Sequence, residues 1–308
     1  KRGAQAAWLE GLIDEGSGPT ILHSHMTAYD IAVAEVARRR ADVKAIWHFH
    51  TVLGEDLRAR LRNRLRFLVA GRYVERMICV GPALAEAICT RGAPRRKVLV
   101  LPNGLDVTAF PPVTADERAG SRTGLGLPPG APVLLHIGRD WWLKGGDLFL
   151  DAFELLGDHA PVGLMVRGDE DARVEIERRG LGDRVQVLPG VPDVHRLHAA
   201  ANLMIASSRG EGTLPFAVLE ALSSGLAVVA TDIPGHSIPG DGPPGLHKAR
   251  PEAADIARAA AELLDRDPRR TGRESAASHA WVEAERSLPT WGERLLEVYE
   301  EVASGRPS

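Results

Sequence analysis

The sequence predicts an α/β fold of two doubly wound parallel sheets. Three observations carry this reading: short runs of branched aliphatic residues alternate with helix-like segments, two such series follow one another, and a proline- and glycine-rich stretch divides them.

The first residues, KRGAQAAWLEGLIDE, read as an amphipathic helix rather than a signal peptide. The first series then runs PTILHSH into DIAVAEVARRR, VKAIWHFHT into a long helix, RMICVG into PALAEAICTRG, and VLVLPNG. From Val107 to Pro132 periodicity is lost, which predicts a linker. The second series comprises PVLLHIG, VGLMVRG, RVQVLPG, NLMIASS and LAVVATD, apolar enough to be buried on both faces. The segment from Trp291 to Val302 reads as a closing amphipathic helix. The expected domains are therefore residues 1–107, 108–288 and a terminal helix, 289–308.

At 308 residues the chain can bury two cores, and its 44% hydrophobic and 26% charged residues fit a water-exposed enzyme. A formal charge of -3 creates no global field, so no nucleic-acid partner is expected and any basic site must be local. No run reaches the roughly 20 apolar residues that span a bilayer, and the expectation is a cytoplasmic protein. Two cysteines, Cys79 and Cys89, are too few for a disulfide framework and read as small buried hydrophobes.

Ligands of open α/β sheets bind beyond the carboxyl ends of the strands. In the second series, VLLHIG leads into GRDWWLKGGD, placing Gly138 and Arg139 just after a strand and Lys144 in the turn before a helix. Only five lysines stand against 33 arginines, and one of them occupies this turn, where a compact ammonium can meet a phosphate. NLMIASS is followed by RGEGTLPFAVLEALSSG, a small loop feeding a helix expected to start near Pro215. The amides of Gly212, Thr213 and Leu214, with the positive end of the helix dipole, suit a diphosphate. Glu220, about one and a half turns on, is spaced to reach a ribose, and Glu211 precedes the loop.

At these residues the sequence resembles glycosyltransferase family 4 of the GT-B superfamily. The similarity runs from ILHSH through VGPALAEAI, VLVLPNGLDVTAF, GRDWWLKGG, GLGDRVQVLPGVPD and RGEGTLPFAVLEALSSGLAVVATDIPGH. It implies a retaining, metal-independent hexosyltransferase with two Rossmann-like domains facing a cleft and a terminal helix returning to the first domain. The donor is a nucleotide-diphosphate sugar, most simply a UDP-sugar, and no cofactor or metal is expected. Arg139 and Lys144 would neutralise the leaving diphosphate, Glu220 hold the ribose, Glu211 contact the donor sugar, and the base lie near Val191. The family leaves seven residues between these glutamates; here Gly212 through Leu219 make eight, as if Thr213 were inserted. His50 would reach the donor sugar across the cleft, with His25 shaping its floor. Complete members begin with a strand and glycine-rich turn before the position of ILHSH, so the resemblance implies an incomplete first domain. The acceptor, a glycolipid, polysaccharide or small molecule, is not specified. A non-catalytic nucleotide-sugar-binding module and a nucleotide-sugar epimerase are the alternatives, and a metal-dependent hydrolase built on the two His-x-His pairs ranks last because it leaves Arg139, Lys144 and the helix-start loop without a role.

Three further features do not belong to the motif set. Residues 55–72 carry Leu57, Leu61, Leu65 and Leu68 on one helical face among arginines; a helix packing its leucines on the sheet is expected, with contact to anionic lipid as the alternative. His23, His25, His48 and His50 form two His-x-His pairs at strand ends, with structural roles expected for all but His50. Asp169, Glu170 and Asp171, and Asp265 with Asp267, read as capping and loop charges rather than metal ligands. Trp141 and Trp142 suit stacking on a sugar and packing against their own domain equally.

Overall fold

The computed structural model describes residues 2–13, 18–25, 27–51, 53–54, 56–128, 130–166, 170–238, 240–266 and 268–305. Asp169, Asp267 and the first residue of the 55–72 segment lie outside these. The chain forms two units, Lys1–Gly104 with Pro289–Ser308, and Leu105–Leu288.

In the first unit, α1 (Arg2–Glu10), β1 (Thr20–Ser24), α2 (Thr27–Arg39), β2 (Val43–Phe49), α3 (Leu57–Val69), β3 (Arg76–Cys79), α4 (Pro82–Thr90) and β4 (Val98–Val100) follow in order. The four strands make a parallel sheet in sequential order. Pleating sorts β2 by face. Ala45, Trp47 and Phe49 enter one core with Phe67, Met77 and Leu84, while Ile46 enters another with Ile78, Leu101 and Val302.

The second unit contains α5 (Ala115–Gly124), β5 (Val133–Ile137), α6 (Gly146–Leu155), β6 (Val162–Val166), α7 (Glu170–Arg178), β7 (Val185–Leu188), α8 (His195–Ala200), β8 (Leu203–Ala206), α9 (Phe216–Ser223), β9 (Val228–Thr231), β10 (Leu246–Ala249), α10 (Ala253–Leu264) and α11 (Pro268–Arg286). Its six parallel strands are ordered β10-β9-β8-β5-β6-β7. The core on one face takes Val133 and Leu135, and that on the other takes Leu134, as a doubly covered parallel sheet requires. The last helix, α12 (Leu288–Ser304), is part of the first unit from Pro289 on. Its stripe Trp291, Leu295, Val298, Tyr299 and Val302 packs with Ile46, Ile78 and Leu101.

Two expectations need correction. The stretch expected as a linker contains α5, opened by a reciprocal capping box between Thr114 and Glu117 and tied down where Arg118 donates to Ala201 O at 2.6 Å and Arg122 to Ala200 O at 3.0 Å. Its packing is polar, so no apolar period marks it.

Helix α3 packs on the face opposite to its leucines. Ala59, Asn63, Arg66 and Phe67 are buried, whereas Leu57 is 82% exposed and Leu61, Leu65 and Leu68 more than half exposed. Arg66 is paired with Asp30, which also accepts from Ser24, and its guanidinium lies 4.8 Å from the Trp47 ring centre. A buried arginine held by a carboxylate and aromatic faces, together with Phe67, defines the inner side of α3, and the leucine stripe does not.

Trp141 is half-buried and packs on the core near α6, while Trp142 is 64% exposed with the Arg209 guanidinium 3.8 Å from its ring centre. Packing is the role of the first. Of the cysteines, Cys79 is buried and Cys89 half-buried, both free.

Candidate donor site at the switch point

In the second sheet β5 pairs with β6 on one side and β8 on the other, so chain order reverses between β5 and β8. Such a reversal is the place where open α/β sheets bind ligands. Lys144, from the loop after β5, and Glu211, from the loop after β8, meet there with Nζ and Oε1 2.5 Å apart. Ser208 Oγ donates to the same carboxylate oxygen at 2.7 Å.

The backbone positions this pair through close approaches that only glycine permits. Gly145 sits at φ 67°, and a Cβ there would lie 2.0 Å from Ser207 O. At Gly235 a Cβ would lie 2.1 Å from Glu211 O, so the loop after β9 presses directly on the Glu211 loop. Gly138, too, could not carry a side chain, since its Cβ would meet that of Lys144 at 2.5 Å. Asp147 and Arg209 pair in bidentate fashion at 2.6 and 2.7 Å, and Arg209 N donates to Leu143 O at 2.8 Å, lacing the two loops together.

The other expected residues of the second unit lie on several of its elements. Arg139 is exposed and has no hydrogen bond or ion pair among the described residues. Leu214 is buried in the core and anchors its loop, leaving Gly212 and Thr213 half-exposed. Pro215 is the N-cap of α9, not its first residue, and Val218 N already bonds Pro215 O. The amides at the helix start are therefore those of Phe216 and Ala217, while those of Gly212, Thr213 and Leu214 belong to the bend before it. Glu220 is half-buried and four residues from the helix start, about one turn. Val191, beyond β7, is half-buried against the core. Thr213 lies in the bend before α9, and Glu211 meets Lys144.

His236 and Gly235, from TDIPGH, received no role from the sequence. His236 is fully buried, with Nδ1 2.8 Å from Thr231 O, and Lys248 Nζ donates to its carbonyl at 2.5 Å. Burial pushes its pKa down to about 4, so the ring is neutral near pH 7. His136, under the β5 end, is likewise held at about 4 by burial.

In the first unit the four expected histidines gather at the ends of β1 and β2. The rings of His23 and His48 lie 5.3 Å apart at an interplanar angle of 7°, and His25 Nδ1 lies 3.1 Å from His50 Nε2. Burial, then the neighbouring imidazoles, lowers His48 to about 2 and His23 to about 4. His50 itself is exposed.

Twin parallel sheets, with a lysine–glutamate pair at the switch point of the second, define a GT-B-type α/β protein. Solved structures agree on the fold. A glycosyltransferase from Rickettsia africae superposes with a TM-score of 0.84 at 18% identity, over 97% of this chain and 80% of that one. HepE of Anabaena in complex with UDP gives 0.82 at 20%, over 92% and 79%.

Residues 2–109 match the family described as Glycosyltransferase Family 4, and residues 131–266 that described as Glycosyl transferases group 1; the chain belongs to this family. A D-inositol 3-phosphate glycosyltransferase of Nocardia farcinica is 34% identical over 224 residues, 68% of this chain and 48% of that protein. The lipopolysaccharide core biosynthesis mannosyltransferase LpcC of Rhizobium leguminosarum is 35% identical over 143 residues, 43% of this chain and 40% of that protein. The matched segments thus span less than half the length of these two relatives.

Proposed function

We propose that this chain binds a nucleotide-diphosphate sugar in its second unit and transfers the sugar with retention of anomeric configuration, without a metal at the diphosphate. The meeting of Lys144 and Glu211 at the switch point carries this reading. An ammonium has three donors, so Lys144 can keep its bond to Glu211 and still meet a phosphate oxygen. Arg139, unpaired among the described residues, supplies the second positive charge, and the Phe216 and Ala217 amides the helix-end contacts. Charge grows on the diphosphate as the glycosidic bond breaks, and cations placed beforehand stabilise that change. Glu220 would hold the ribose, Val191 the base and Glu211 the sugar. UDP is the favoured carrier because the Anabaena HepE structures contain UDP and UDP-glucose.

Calorimetric titration with UDP, GDP and ADP, with and without magnesium, tests the proposal. Magnesium-independent binding of one nucleotide, weakened in Lys144→Ala and in Glu220→Ala, is expected. Absence of binding to folded protein removes the donor site.

We further propose that α3 makes peripheral contact with an anionic membrane. Its exposed leucines stand beside exposed Arg58, Arg60, Arg62 and Arg64, an apolar stripe flanked by positive charge. Among the described residues no helix is long and apolar enough to cross a membrane.

A further inference from the structure

We propose that His23, His25 and His48 of the first unit form a binding site for a divalent transition-metal ion of the zinc class. The site follows from register. β1 and β2 run parallel with Ser24 opposite Trp47, so the next residues, His25 and His48, fall side by side. His23 precedes His25 by two residues and shares its face of the sheet. One ring nitrogen from each of the three lies within 4.8 Å of those of the other two. Tetrahedral ligands at zinc–nitrogen distances of roughly 2.0–2.1 Å stand about 3.3 Å apart, so closure needs shifts of at most about 1.5 Å. The His25 ring is exposed and free of core packing.

The buried atoms point the same way. His48 is only 4% exposed, yet neither of its ring nitrogens has a hydrogen-bond partner among the described residues, and His23 Nε2 is also buried and unpartnered. Buried imidazole nitrogens are ordinarily satisfied, and a metal would satisfy one on each of these rings. Tyr299 OH lies 2.7 Å from His23 Nδ1, which fixes the ring and reserves Nε2 for the cluster. Such an outer hydrogen bond is the usual support of a metal-bound histidine. The cluster contains no carboxylate, and three neutral nitrogens select zinc, cobalt, nickel or copper over calcium or magnesium. His25 opens to solvent, leaving a fourth position for water or for His50, whose Nε2 is 3.1 Å from His25 Nδ1.

The test is titration of the chelator-stripped full chain with CoCl2, followed by visible absorption, and with ZnCl2, followed by calorimetry. One equivalent per chain and the intense visible bands of low-coordinate cobalt are expected. His25→Gln, an exposed change that leaves the core intact, should weaken binding at least tenfold, as should His48→Gln. Tyr299→Phe should weaken it about tenfold or more through loss of the outer hydrogen bond. His159→Gln, outside the cluster, should leave it unchanged. Cobalt spectra that stay those of the aqueous ion with protein folded by circular dichroism, or equal binding by wild type and His25→Gln, overturn the proposal. UDP titration of the same samples reports separately on the second unit.

Discussion

Lys144 Nζ and Glu211 Oε1 lie 2.5 Å apart although 67 residues separate them, one from the loop after β5 and the other from the loop after β8. If this pair holds the lysine toward a phosphate, Lys144→Ala loses a charged hydrogen bond of about 1.5–3 kcal/mol, which is roughly tenfold to a hundredfold in UDP affinity. Glu211→Gln should lower affinity for UDP-glucose more than for UDP. A Lys144→Ala protein that binds UDP like wild type would falsify the assignment.

A methyl group at Gly235 would collide with Glu211 O, a backbone atom that cannot swing aside. Gly235→Ala should therefore displace the Glu211 loop and weaken UDP-glucose binding at least tenfold in a protein of native circular dichroism. Gly157→Ala, at a position open on all sides, is the control. Equal affinities for the two variants would mean that the loop is free to relax.

Removing the carboxylate of Asp30 leaves the Arg66 guanidinium buried without its partner. Asp30→Ala should cost about 3–5 kcal/mol in urea unfolding, and adding Arg66→Met should recover most of it. No recovery in the double variant would show that the pair matters through packing rather than charge.

His136 and His236 stay neutral in the fold down to about pH 4, against 6.5 for the open chain. A histidine of depressed pKa contributes stability that is present above 6.5 and is lost as pH falls to about 4, because the unfolded chain takes up the proton first. The loss is on the order of 3 kcal/mol for each fully buried ring. Unfolding midpoints measured from pH 7.5 to 4 should fall through this window, and His136→Gln should flatten the slope. An unchanged slope in that variant refutes the assignment.

Vesicles of anionic lipid at low salt should sediment the protein, and neutral vesicles should not. Leu61→Ser with Leu65→Ser should abolish cosedimentation without loss of stability, since both side chains are more than half exposed. Retention of binding by that double variant would move the contact elsewhere on the chain.

Strands were legible wherever β-branched and aliphatic residues ran together, as in VLLHI and VVAT, and so was the position of Lys144 in the turn between β5 and α6, because that turn follows directly from the strand's end. β10 was missed because its residues, LHKA, lack an apolar run. On α3 the leucine spacing indicated the wrong face: periodicity identifies an apolar stripe but not whether anything covers it. The Arg66–Asp30 pair, 36 residues apart in sequence, has no local signal. The contact between Gly235 and Glu211 likewise arises only once β8 and β9 lie side by side.

The packing of α12 on Ile46, Ile78 and Leu101 also bears on synthesis. A ribosome adding about 5–20 residues per second takes on the order of 10–40 s to travel from Leu101 to Val302. Throughout that interval the α12-facing side of the nascent first sheet is uncovered, while the whole of Leu105–Leu288 emerges and can fold. The sheet of β1 to β4 is thus covered by α12 only after Leu105–Leu288 has been made, and in the meantime that apolar side is a surface for chaperones to guard.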